Sequence, residues 1–146
     1  MSRDVFWRQV ITYLKLKKTP EELEREWISY YELIPETRDL IRQLRRRYQV
    51  WYLSNNVKER AEALEKKFWF KTWFDGGIFS HEVGLIKPDP KIYRFVLKKT
   101  QAKPEEAVFI DNKETSLEPA KAFGITPILF TSPDKLEAEL KQLKIL

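Results

Sequence analysis

The stretch that most constrains the fold is Ala107, Val108, Phe109, Ile110, Asp111 and Asn112, which leads into a polar loop and a segment closed by Gly124. An apolar run rich in β-branched and aromatic residues reads as a strand buried on both faces. It stops abruptly at Asp111. A helix is expected over 116–123, and a second strand over 126–130. A strand with an acidic residue at its carboxyl end, followed by a loop and a helix, is where open parallel α/β sheets bind ligands.

The rest of the chain has the periodicity such a sheet needs. Ser2 is placed to cap a first helix, in which Phe6, Val10, Tyr13 and Leu14 form one apolar stripe. Pro20 opens a second helix carrying Leu23, Trp27, Tyr30 and Tyr31 on one side. Pro35 opens a third, with Leu40, Ile41 and Leu44 inward and Arg42, Arg45, Arg46 and Arg47 outward. A short strand follows over 50–53, ending at Ser54, Asn55 and Asn56. Then come a helix over 58–68, an aromatic cluster (Trp69, Phe70, Trp73, Phe74), a turn at 75–77 and a strand over 78–80. A loop over 81–90 ends with Asp89 capping a helix that begins at Pro90. The last helix starts after Ser132 and Pro133, and carries Leu136, Leu140 and Leu143. From residue 35 onward helices and strands alternate, the signature of a parallel sheet covered by helices on both faces.

Composition narrows the chemistry. The 146 residues suffice for one domain with a real core. There is no cysteine, so disulfides, thiolate metal sites and a thiol nucleophile are excluded. No apolar run reaches the length of a membrane span, and a cytoplasmic location is expected. The net charge of +5 lies largely on helix faces. It reads as a solvated surface rather than a nucleic-acid footprint.

Three polar positions fall where a parallel sheet places a site. Ser54 and Asn55 end one strand, Asp111 and Asn112 end another, and Lys87 sits in the loop after a third. A hydroxyl and an amide can bond phosphate oxygens, a lysine can neutralise phosphate charge, and a carboxylate suits Mg²⁺. Taken singly, each has a plain structural reading as a turn, a surface lysine or a helix-approach residue.

At these residues the chain resembles the haloacid dehalogenase (HAD) superfamily, in the subgroup with a small helical cap. Tyr52-Leu53-Ser54-Asn55-Asn56 resembles the family's second motif. The run from Ser80 through Lys87-Pro88-Asp89-Pro90 to Tyr93 resembles the third, and Phe109-Ile110-Asp111-Asn112 the fourth. The resemblance implies an α/β Rossmann-like parallel sheet with residues 1–34 as a cap region and 35–146 as the core. It implies a phosphate site at Ser54, Asn55 and Lys87, with Lys87 also catalytic, and Mg²⁺ ligands at Asp111 and Asn112. It also implies a small phosphorylated or halogenated substrate. In relatives an aspartate ending the first, central strand attacks phosphorus or carbon and forms a covalent intermediate.

That first motif, an apolar strand ending in Asp-x-Asp, is not found in this sequence. Asp4 falls in a helical first turn and is no substitute. Asn112 stands where relatives carry a second Asp, and Ser116 where many carry Asn, so Mg²⁺ affinity should fall. The chain is expected to be a catalytically impaired or inactive HAD-like protein. The alternatives are a truncated form of an active phosphatase or dehalogenase, and a non-catalytic binding module. The missing central strand would leave a gap between 50–53 and 108–110. Two ways of filling it are expected. The two strands could pair directly, or a second copy or strand-donating partner could fill the space.

Overall fold

The computed structural model describes residues 3–146. The expected cap at Ser2 lies outside them. Two helices open the chain, α1 (Arg3–Leu14) and α2 (Pro20–Ser29). Thr19 caps α2 with its hydroxyl on the Glu22 amide, and the Glu22 carboxylate returns to the Thr19 amide. This reciprocal pair satisfies two amides that the first helical turn leaves unpaired. Trp7, not the expected stripe, is the buried residue of α1; Tyr13 and Leu14 are exposed. The indole ring is set by a buried carboxylate: Trp7 Nε1 donates to Glu24.

The sandwich follows, as α3 (Pro35–Leu44), β1 (Trp51–Ser54), α4 (Lys58–Phe68), β2 (Gly76–Phe79), α5 (Ser80–Val83), α6 (Pro90–Thr100), β3 (Val108–Asp111), α7 (Glu114–Ala122), β4 (Thr126–Leu129) and α8 (Pro133–Gln142). Asp89 caps α6 by accepting from the Lys91 amide, and Ser132 caps α8 by accepting from the Lys135 amide. Gly124 ends α7 with φ +85°, a conformation glycine adopts without steric cost. The expected turn at 75–77 proves to be the start of β2. Gly76 and Gly77 lie under the rings of Trp51 and Tyr52, and a Cβ on Gly77 would fall 2.0 Å from Tyr52. Ser80, expected in a strand, begins the short helix α5.

β1 pairs with β2 and β3 with β4, both in parallel register. Among the described residues no ladder joins β1 to β3, so the expected direct closure does not occur. The half-sheets nevertheless lie in one layer. Val50, just before β1, and Val108 of β3 pack on one cluster, formed by Leu40, Leu44, Ile128, Leu136 and Leu140. Leu53 and Phe109 pack on another, formed by Ile92, Tyr93, Ala120 and Ile125. Each half is seated on helices of both faces. Closure would draw the strands off these seats and lose apolar burial worth about 25 cal/mol per Å². The edges therefore stay unpaired. All four residues of β1 are only half-buried, and Ile110 of β3 is 36 % exposed. Strands inside a parallel sheet are normally buried on both faces.

Candidate functional site

The polar residues collect at the carboxyl ends of β1 and β3. β1 delivers Ser54 and Asn55; β3 delivers Asp111 and Asn112. The segment between α5 and α6 brings Lys87, whose peptide bond to Pro88 is cis. Asn55 acts on the backbone of Lys87 from both ends of its amide. Its Nδ2 donates to the Lys87 carbonyl at 2.8 Å, and its Oδ1 accepts from the Lys87 amide at 2.9 Å. The loop after β1 is fixed a second time by Ser80, whose Oγ accepts from the Asn56 amide and donates to the Asn56 carbonyl.

Held in this way, Lys87 extends its ammonium to Asp111 Oδ2 at 2.6 Å, with side-chain exposures of only 12 % and 8 %. The ammonium also lies 5.5 Å from the centre of the Phe109 ring. The other carboxylate oxygen of Asp111 accepts from the Lys113 amide at 2.9 Å. Behind the pair, the buried Tyr93 donates its hydroxyl to the Ser116 carbonyl at 2.6 Å. Burial, with the Asp111 charge adding to it, pushes the Tyr93 phenol up to about 12. It is therefore a fixed neutral donor at any physiological pH.

The structure thus links Asn55, Lys87 and Asp111 directly. Ser54, the residue before Asn55, is half-buried at the end of β1, and Asn112 is exposed next to Asp111. Asn55 is a positioning residue for Lys87 more than a free anion ligand, since one Nδ2 hydrogen is the only donor its amide has left. Sequence reading missed the Tyr93–Ser116 bond. Its only signal was a tyrosine on the inner face of α6, which packing alone explains equally well.

A Mg²⁺ ion would find oxygen donors of the right kind in Asp111 and Asn112, but too few. One carboxylate with both oxygens already bonded, plus one neutral amide, falls short of the near-octahedral oxygen shell Mg²⁺ requires. Among the described residues no group of three or more acidic or histidine side chains could hold a metal. The residues present do not by themselves make a Mg²⁺ site.

The chain is similar to several known proteins. Rat bifunctional epoxide hydrolase 2 is 43 % identical over 70 residues, which cover 48 % of this chain and 13 % of that protein. The D-ribitol-5-phosphate phosphatase of Bacteroides thetaiotaomicron is 27 % identical over 131 residues, 85 % of this chain and 64 % of that one. The chain therefore spans only part of the length of these relatives. Among solved structures, a HAD-family enzyme from Bacteroides thetaiotaomicron in complex with magnesium and inorganic phosphate superposes with a TM-score of 0.77 at 22 % identity. That match covers 90 % of this chain and 70 % of that one, and shows the shared fold. The family model for haloacid dehalogenase-like hydrolases matches residues 4–124. With that match spanning most of its length, the chain belongs to the haloacid dehalogenase-like hydrolase family.

Proposed function

We propose that this chain carries the oxyanion-holding side of a phosphatase-type site for a small phosphorylated substrate, a halogenated one being the alternative, and that alone it binds without turnover. The observation that supports this is the Lys87 ammonium. It is fixed through its own backbone by Asn55, and it stands at the shared carboxyl edge of both half-sheets. Lys87 would neutralise one phosphate oxygen, with Ser54 and the remaining Asn55 hydrogen as neutral donors. Asp111 opposes this role by occupying Lys87, so affinity is weak, in the millimolar range or roughly 4 kcal/mol. Asp111 and Asn112 would contribute to Mg²⁺ only feebly, for want of charge. No step of bond breaking is assigned, because the carboxylate that contacts Lys87 has both oxygens engaged.

Residues 1–34 serve in this reading as a cap region over a core of 35–146, in the cytoplasm. The unpaired edges of β1 and β3 favour a further component. The chain would act with a strand-donating partner or a second copy, or correspond to part of an active hydrolase. The test is a calorimetric titration with inorganic phosphate. Saturable millimolar binding that disappears in Lys87→Met is expected. Equal binding by both proteins would overturn the proposal.

A further inference from the structure

An aromatic cavity lies among the two amino-terminal helices, and we infer that it binds a quaternary ammonium group. It is enclosed by α1, the connection 15–19, α2 and residues 30–32, with a volume of about 580 Å³. That is the size of a small-molecule site. None of Ser54, Asn55, Lys87 and Asp111 lines it, so the inference goes beyond the proposed function and does not rest on it.

Four rings line the cavity. Trp7 and Trp27 meet nearly edge to face, with centroids 5.3 Å apart and planes at 72°, and form a corner. Trp7 is buried and its indole is fixed by Glu24. Trp27 Nε1 donates to the Tyr31 hydroxyl at 3.3 Å, which ties the third ring to the second. Tyr30, 75 % exposed, adds the fourth at the rim. Aromatic faces attract cations through their quadrupole. Trp27 already does so: the Arg60 guanidinium, which is not part of the lining, lies 5.0 Å from its ring centre. The charged lining residues are Lys18, Glu26 and Glu32, two carboxylates against one ammonium. Lys18 is engaged with Glu26, and Glu32 is exposed. On a chain of net charge +5 this is a local negative surplus, which disfavours an anionic occupant and favours a cation. The acceptors decide which cation. A primary ammonium brings three N–H donors, and leaving them unpaired among rings is costly. Glu26 already accepts from Lys18 and the Tyr31 hydroxyl from Trp27, so few acceptors remain. A quaternary ammonium has no N–H to satisfy and sets its methyl groups against the rings.

The test is a calorimetric titration with choline, and with its neutral analogue in which carbon replaces the nitrogen. The two compounds share a shape and differ in charge. Choline should bind saturably and about tenfold more tightly than the analogue. Tyr30→Leu removes a ring from the rim and should weaken choline about three- to tenfold, while Tyr30→Phe keeps the ring and should bind as the parent does. The exposure of Tyr30 makes both substitutions compatible with folding. Glu32→Gln should weaken choline and leave the analogue unchanged. Equal affinity for the two compounds, no saturable binding of choline, or the same loss in Tyr30→Phe as in Tyr30→Leu would each overturn the inference. So would choline binding that Tyr30→Leu leaves intact.

Discussion

Replacing Asp111 by asparagine separates what Asp111 does for stability from what it does to an anion. The native carboxylate and the Lys87 ammonium are 2.6 Å apart and nearly excluded from water. Removing one member of a buried pair costs about 3–5 kcal/mol when the other is left unpaired. Asparagine keeps an acceptor for Lys87, so a loss near the lower end, about 3 kcal/mol, is expected in urea denaturation. Anion binding should move the other way. A phosphate oxygen on Lys87 would sit some 4 Å from the carboxylate, where like charges repel by about 4 kcal/mol at an effective dielectric near 20. Salt and relaxation reduce this to roughly 1.4–2.8 kcal/mol, or a gain of about 10- to 100-fold in phosphate affinity. The assay is calorimetry with inorganic phosphate in the absence of divalent metal, on protein shown by near-ultraviolet circular dichroism to be folded. An Asp111→Asn protein that binds phosphate no more tightly than the parent would refute the claim that Lys87 is the anion ligand held in check.

Three further outcomes follow from the packing. Gly77→Ala places a methyl group inside the Tyr52 ring position and should cost about 1–3 kcal/mol, read from the denaturation midpoint; an unchanged midpoint would show that Tyr52 does not lie on this strand as described. Arg60 donates to the buried Glu24 at 2.9 Å and lies over the Trp27 ring at 5.0 Å, so Arg60→Ala should loosen α2 from α4 and speed proteolysis in the 15–19 connection without lowering protection of α6. Hydrogen bonds from Arg45 and from the Val50 amide hold the Asp75 carboxyl below its ordinary 3.8. A lowered folded pKa means that Asp75 contributes its full stability above 3.8 and loses it as pH falls through the lowered value. Asp75→Asn should therefore flatten the acid limb of a melting-temperature profile, and a parallel shift at all pH values would contradict this.

Much of the fold was legible because its signals are local. Pro20, Pro35, Pro90 and Pro133 each open a helix, Asp89 and Ser132 cap as their chemistry suggests, and Leu40, Leu136 and Leu140 are buried at helical spacing. The errors are tertiary. Gly76 and Gly77 look like a turn in sequence, yet they belong to β2 because Trp51 and Tyr52 need the space a side chain would take. Tyr13 and Leu14 share the apolar period of Phe6 but no described element covers them, and Trp7 is drawn inward by Glu24, a partner 17 residues away. The site was legible as a set of strand-end positions. The pair of hydrogen bonds between Asn55 and the Lys87 backbone was not, because motif spacing says which residues gather at an edge and nothing of which atoms meet. The expected pairing of β1 with β3 failed for the same kind of reason: the cost of bare edges is visible in the sequence, but the hold of α3, α6, α7 and α8 on each half-sheet is not.

The proposed function makes Lys87 the oxyanion ligand and gives none of the described carboxylates a position to attack. The most direct test is the hydrolysis of an aryl phosphate by the purified chain in the presence of Mg²⁺. The account predicts a rate indistinguishable from background, unchanged by Lys87→Ala or Asp111→Ala. Mg²⁺-dependent turnover abolished by either substitution would contradict it.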